Sequence, residues 1–105
     1  MTTLDAVLRE AAEALDPAPE LRTLPDGSAE WSRDGIAFAS VEMTGDVAAF
    51  RLDPTLAEAA RRTPDTAATA LGNEWVVFAP GVLDGHAADR ARAWFEAGYR
   101  RAVRD

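Results

Sequence analysis

The sequence predicts a two-layer α+β domain, with an antiparallel sheet of about five strands and helices on one face, in the order α-βββ-α-ββ-α. Two observations support this prediction. Apolar residues recur at helical spacing near both ends of the chain. Between them, short runs of strand-forming residues are separated by Asp-Gly, Thr-Gly and Gly-Asn pairs, which are typical of tight turns. With 105 residues, the chain has the size of one domain with one core.

The first helix is predicted from an apolar stripe and a cap. The residues of the stripe are Leu4, Val7, Leu8, Ala11 and Leu15. Thr2 or Thr3 can cap the helix, which we expect to end near Asp16. The stretch from Pro17 to Gly27 is rich in helix and strand breakers and is expected to be a connecting loop, with a short extended piece at Leu21–Leu24.

The first strand pair is predicted to turn at Asp34-Gly35, a two-residue hairpin sequence. In that register Arg33 faces Ile36, and Trp31 faces Phe38 across the strands. A second turn at Thr44-Gly45 leads into the third strand. A two-residue loop there sets two further pairs opposite each other, namely Phe38 with Arg51 and Ala39 with Phe50.

The second half is predicted to hold a short helix, a hairpin and a closing helix. Asp53-Pro54 provides an N-cap and a first helical residue, and the buried residues are expected to be Leu56, Ala59 and Ala60. The strand pair Thr66–Leu71 and Glu74–Ala79 flanks Gly72-Asn73. Asp84 or His86 can cap the last helix, and its apolar face comprises Ala87, Ala91, Trp94, Phe95, Gly98 and Ala102. Trp75 and Trp94 are both expected in the core.

Alternation along the first three strands separates an apolar face from a mixed one. The apolar face, expected beneath the helices, has Ala37, Ala39, Val41, Met43, Ala48, Phe50 and Leu52. The mixed face has Trp31, Arg33, Ile36, Phe38, Ser40, Glu42, Val47, Ala49 and Arg51. Two guanidinium groups among two aromatic rings can stack on a planar or anionic ligand or bind a partner. We therefore expect Trp31, Arg33, Phe38 and Arg51 to form the binding surface for a protein partner or a second copy. The alternative is that the aromatic rings form a second, minor core.

Net charge weighs against nucleic acid but leaves one candidate surface. The formal charge is −7, whereas nucleic-acid binding usually requires a basic patch. The closing helix nevertheless carries five arginines, Arg90, Arg92, Arg100, Arg101 and Arg104, and most of them lie opposite Trp94. DNA binding through Arg90, Arg100 and Arg101 is therefore the second hypothesis. A solvated helix face is the simpler interpretation.

The sequence offers little for catalysis, so we expect a non-enzymatic module without a cofactor or metal. There are no cysteines, which excludes thiolate chemistry and disulfides. His86 is the only histidine, and Asp84 and Asp89 lie near it, which leaves a small hydrolase or transferase as the third hypothesis. The two carboxylates are more simply a helix cap and a first-turn acid. No apolar run approaches the length of a membrane span, and we expect a cytosolic protein.

With these elements in place, the chain resembles the MmcQ/YjbR-like family of small α+β domains. The resemblance covers residues 28–103. It rests on Arg33–Ala39 leading into the strand Val47–Leu52, the helix after Asp53-Pro54, the strand Glu74–Phe78, and Tyr99 near the end of the closing helix. It implies a compact two-layer fold, for which DNA binding has been suggested. The acidic charge and the absence of lysine depart from that suggestion.

Overall fold

The computed structural model describes residues 3–103 and places three helices and six strands in this range. In chain order the elements are α1 (Leu4–Glu13), β1 (Glu20–Thr23), β2 (Ala29–Arg33), β3 (Ile36–Val41), β4 (Ala48–Arg51), α2 (Pro54–Ala60), β5 (Thr66–Ala68), β6 (Trp75–Phe78) and α3 (Gly85–Arg101). The strands form one antiparallel sheet in the order β1-β2-β3-β4-β6-β5. The predicted α+β class is confirmed. The sheet has six strands because the short extended piece near Leu21 is a full edge strand.

Each helix begins at a polar cap. The cap residues are Thr3, Asp53 and Asp84. Their side-chain oxygens accept hydrogen bonds from the backbone N–H groups of Ala6, Thr55 and Ala87, which have no partner inside the helix. Of the alternatives that the sequence left open, Thr3 rather than Thr2 is the observed cap of α1, and Asp84 rather than His86 caps α3.

The buried stripe of α2 differs from the predicted one. Ala57 and Ala60 are buried, whereas Leu56 is 37% exposed and Ala59 is exposed. α2 has only seven residues, so a single pair at i and i+3 spacing is enough to cover its contact with the core. The prediction for Leu56 and Ala59 is therefore wrong.

The first hairpin turns where the sequence predicts, but one residue changes its register. Asp34 and Gly35 have φ values of +54° and +79°, as a two-residue turn of the primed type requires, and Arg33 pairs with Ile36. Trp31, however, lies opposite Ala39 instead of Phe38, because the pairing shifts between Trp31 and Ser32. This shift is a β-bulge, in which Phe38 is the extra residue.

The bulge brings residues of both predicted faces of the sheet onto one side. Phe38 and its neighbour Ala39 are both buried, although consecutive residues of a regular strand point to opposite faces. On the turn side of the bulge, Arg33 and Ile36 lie on the helix side of the sheet. On the other side of the bulge, Ala39 and its cross-strand partner Trp31 do so. The predicted pairing of Ala39 with Phe50 is confirmed, and the helices lie on the face of Phe50, as expected.

Two neighbouring residues of α3 anchor the aromatic core. The Phe95 ring lies 5.3 Å from the ring of Trp31 and 5.1 Å from that of Phe38. The Trp94 ring lies 6.0 Å from Phe50 and 5.2 Å from Phe78. Such tilted and edge-to-face pairs add to the burial energy of the rings. All six predicted core residues of α3 are buried.

Candidate interaction surface

Two of the four predicted binding residues lie in the core. Trp31 and Phe38 are each 1% exposed, and both rings contact Phe95 of α3. Neither ring is exposed on the surface of the sheet. The prediction is wrong for these two residues because the bulge turns their side chains toward the helices. The alternative, that the aromatic rings belong to a core, is the observed one.

Arg33 contacts the end of α3. Its guanidinium carbon lies 4.0 Å from the centre of the Tyr99 ring, and Nη1 donates a 3.0 Å hydrogen bond to the Tyr99 backbone oxygen. That oxygen belongs to the last turn of the helix, where it also accepts a 3.2 Å hydrogen bond from the backbone N–H of Ala102. A cation at this end also complements the helix dipole. Arg33 therefore has a structural role on the helix side of the sheet.

Arg51 belongs to an ion-pair cluster centred on Glu74. Arg51 Nε donates to one carboxylate oxygen at 3.0 Å, and Arg101 Nη2 donates to the other at 2.8 Å. The hydrogen bond from Arg101, more than that from Arg51, lowers the pKa of Glu74 below its usual value. The cluster joins β4, the start of β6 and the end of α3. Arg51 is thus engaged within the chain.

The arginines proposed for DNA binding also have partners within the chain. Arg101 pairs with Glu74, and Arg100 Nη1 lies 3.9 Å from a carboxylate oxygen of Glu96. The Arg90 guanidinium lies 5.9 Å from the centre of the Phe78 ring. Arg92 pairs with Asp89, and Arg104 lies outside the described residues. A phosphate would therefore have to compete with carboxylates for most of this surface.

The residues around His86 have structural roles. Asp84 caps α3 through its 2.8 Å bond to Ala87, and Asp89 pairs with Arg92 at 3.0 Å. His86 itself is exposed in the first turn. The structure brings no two of these three side chains into a hydrogen-bonded pair within residues 3–103.

The opposite face of the sheet carries no helix in the described part of the chain. A row of cross-strand partners runs over this face through all six strands: Arg22, Glu30, Ser40, Ala49, Val77 and Ala67. A second row on this face has Arg51 opposite Trp75 and Ala37 opposite Ser32. The apolar members of both rows lie outside the core cluster. This uncovered face retains Ser40, Ala49 and Arg51 of the predicted mixed face.

One part of the uncovered face has no charged residue other than Arg51, which pairs with Glu74. We call it the uncharged patch; it comprises Ala37, Ser40, Ala49, Ala67, Trp75 and Val77. Trp75 was expected in the core, but it lies opposite Arg51 and is half-buried on this face. The sequence contained a sign of this, because Trp75–Phe78 is apolar at all four positions. Such a strand presents an apolar side to each face of its sheet.

Neither a metal centre nor a membrane-spanning helix is found among residues 3–103. No group of three or more His, Asp or Glu side chains in this range is arranged to hold a metal ion. No helix in the range is both long and apolar enough to cross a bilayer.

The comparisons with known proteins show the fold alone. No protein-family model matches the sequence, and no curated protein matches it. A crystal structure of a protein from Pseudomonas syringae is similar, with a TM-score of 0.62 and 16% sequence identity, over 91% of this chain and 95% of that one. At this identity the likeness concerns architecture. Membership of the MmcQ/YjbR-like family stays a prediction based on the sequence resemblance.

Proposed function

We propose that this domain is a protein-interaction module that pairs with a second copy of itself through the uncharged patch. The observation that supports the proposal is the composition of the uncovered face. The solvated face of an antiparallel sheet usually carries polar residues, yet six positions on β3, β4, β5 and β6 are alanine, serine, valine or tryptophan. Depletion of charge and the presence of tryptophan are features of the cores of protein interfaces.

The distribution of charge favours a second copy as the partner. Residues 1–53 carry four arginines and eleven acidic residues, a net charge of −7, whereas residues 54–105 carry seven of each. The strands β5 and β6, which hold half of the patch, belong to the neutral half. The other half of the patch, on β3 and β4, contains no acidic residue, so two copies can pair through this face without placing a carboxylate in the centre of the contact. A two-fold contact also needs only one self-complementary patch.

The size of the patch sets the expected strength. The patch is four strands wide, at about 4.8 Å per strand, and about five residues long, at about 3.4 Å per residue. Its area is therefore roughly 300 Å². A stable interface buries about 800 Å² on each partner. We therefore expect a weak dimer that forms only at high protein concentration.

Sedimentation equilibrium between about 10 µM and 1 mM tests the proposal. The wild-type mass is expected to rise with concentration toward that of a dimer. Val77→Asp places a charge in the middle of the patch and is expected to remain a monomer over the same range. The matched control is Val82→Asp, because Val82 is 76% exposed in the loop before α3 and the charge change is identical.

Two results would reject self-association. One is a wild-type mass that stays monomeric at the highest concentration. The other is a Val77→Asp variant that associates as the wild type does. Circular dichroism of both variants shows whether the fold is kept, and Ala67→Asp, at an exposed position on the edge strand, provides a second patch variant if Val77→Asp fails to fold.

A further inference from the structure

A shallow groove runs between helix α1 and the edge strand β1, away from the uncharged patch. Its volume is about 240 Å³, and its lining residues are Arg9, Ala12, Glu13, Ala18, Pro19, Leu21 and Trp31. Most of the lining surface is apolar. Leu21 is 44% exposed, which leaves one large apolar side chain on the groove without a covering residue. The groove is wide enough for one aliphatic side chain of a bound molecule.

The edge strand beside this groove has free backbone groups. β1 pairs only with β2, and the backbone N–H of Leu24 donates to the Ser28 oxygen at 2.8 Å. Ladder hydrogen bonds alternate along an antiparallel pair, so Arg22 and Glu20 bond to β2, whereas Leu21 and Thr23 point their N–H and C=O groups outward. These are the groups that an added strand would use.

The charges around the groove that have no ion-pair partner within residues 3–103 are negative. Arg9 pairs with Asp5 and Arg22 pairs with Glu30, at 3.0 Å and 2.6 Å. Three acids of this segment, Glu13, Asp16 and Glu20, form no ion pair within residues 3–103, and Glu13 is the one that lines the groove. The exposed Glu13 carboxylate leaves the rim of the groove negative, and the exposed Glu20 carboxylate adds a negative charge on the opposite face of strand β1. A ligand with cationic side chains is therefore complementary, and a second copy of the same edge is repelled.

We propose that the β1 edge and the groove bind an extended basic segment of a partner protein by strand addition. Its backbone pairs with Leu21 and Thr23. Side chains of an added strand alternate between the two faces, so an apolar residue opposite Leu21 enters the groove. The next residue lies opposite Glu20, where an arginine or lysine is favoured. The segment is thus recognised by alternating apolar and basic residues, and the site is separate from the self-association surface.

Amide chemical shifts of the labelled full chain test the proposal with defined probes. The probe is an acetylated and amidated heptapeptide of alternating valine and arginine, and its counterpart replaces each arginine with glutamate. The basic peptide is expected to shift amides of α1 and β1. The acidic peptide is expected to bind at least tenfold more weakly. Equal binding of the two peptides, or shifts that avoid residues 9–24, would overturn the proposal.

Two variants separate backbone pairing from charge. Thr23→Pro removes an N–H that points to the free edge and leaves the β1–β2 hydrogen bonds in place. This variant is expected to weaken binding of the basic peptide at least tenfold. Its matched control is Ala68→Pro on the other edge strand, where the N–H also points outward because Ala79 bonds to Asp65. That control is expected to bind as the wild type does. Undiminished binding by Thr23→Pro would contradict strand addition.

The charge variant neutralises Glu13 and Glu20 together. Glu13→Gln with Glu20→Gln is expected to weaken binding of the basic peptide about three- to tenfold, and the loss is expected to be larger at low salt. The control variant, Asp46→Asn with Glu58→Gln, neutralises two exposed acids elsewhere. Its net charge equals that of the Glu13→Gln, Glu20→Gln variant. If both double variants weaken binding equally, the attraction comes from the whole acidic domain and the groove is not its source.

Discussion

Gly98 determines how closely α3 can approach the sheet. A Cβ atom at this position would lie 3.0 Å from the backbone oxygen of Arg51 and 3.2 Å from both the ring and the backbone oxygen of Phe38. Backbone atoms of β3 and β4 cannot move aside as a flexible side chain can. Glycine fits at this position because it has no Cβ atom, although alanine has the better intrinsic helix propensity.

Gly98→Ala is expected to destabilise the domain despite that propensity. Alanine gains about 1 kcal/mol of helix propensity, whereas overpacking a tight contact costs about 1–3 kcal/mol. We expect a net loss of about 1 kcal/mol in the free energy of unfolding, measured by urea denaturation. Gly85→Ala in the same helix is the control, because nothing lies within 4 Å of its Cβ position. A Gly98→Ala variant as stable as wild type would show that the helix can shift.

Glu74 is expected to make stability depend on pH. Arg101 and Arg51 lower its pKa in the folded state, so its contribution is fully present above the ordinary glutamate pKa of about 4.3 and is lost as the pH falls through the lowered value. Glu74→Gln should cost about 1 kcal/mol at pH 7, and the difference from wild type should shrink below about pH 4. Thermal melts across pH 3–7 measure this. Glu58→Gln, which removes an exposed pair with Arg62, should show a much smaller effect. A Glu74→Gln deficit that persists unchanged at pH 3 would contradict the ion-pair role.

At the scale of elements, the bulge in β3 decides which residues form the core. A regular strand would place Trp31 and Phe38 opposite each other and leave Phe38 and Ala39 on different faces. The extra residue lets both Phe38 and Ala39 face α3, so that the Phe95 ring fits between Trp31 and Phe38. The predicted faces were correct within each strand segment. The segments on the two sides of the bulge were assigned to opposite faces of the sheet, because the alternation of residue types along a strand does not reveal an inserted residue.

Phe38→Ala tests whether this residue is core or surface. Truncation of a buried phenylalanine costs about 3–5 kcal/mol, a large share of the roughly 5–15 kcal/mol that stabilises a domain. We therefore expect a much lower urea midpoint than that of the wild type. Val82→Ala, at an exposed loop position, should change the free energy of unfolding by less than about 0.5 kcal/mol. A similarly small change in the free energy of unfolding for Phe38→Ala would show that this residue is not part of the core.

At the scale of the whole molecule, the two faces of the sheet differ in what covers them. The helices pack on one face, and the aromatic core lies between them and the sheet. The other face has its charges at β1, β2 and Arg51, and the uncharged patch occupies the rest. The net charge of −7 and the paired arginines of α3 make nucleic acid a poor match for any of these surfaces.

A short DNA duplex is therefore expected to cause no salt-dependent amide shifts in residues 86–101. Binding to phosphates would require Arg100 and Arg101 to leave Glu96 and Glu74 against a repulsive overall field. A titration at low and at physiological salt measures this. Salt-sensitive shifts confined to α3 that disappear when Arg90, Arg100 and Arg101 are changed together would establish DNA binding instead.

The local features of this protein could be predicted from its sequence. Helix caps, the Asp34-Gly35 turn, the apolar face of α3 and the acidic first half depend on residues close together in the chain, and each could be predicted from spacing and residue type. Tertiary structure decided the rest. The bulge at Phe38 and the Arg33 contact with Tyr99 arise where distant segments meet. Such contacts depend on how the helices pack on the sheet, and a periodic pattern along a single strand contains no information about that packing.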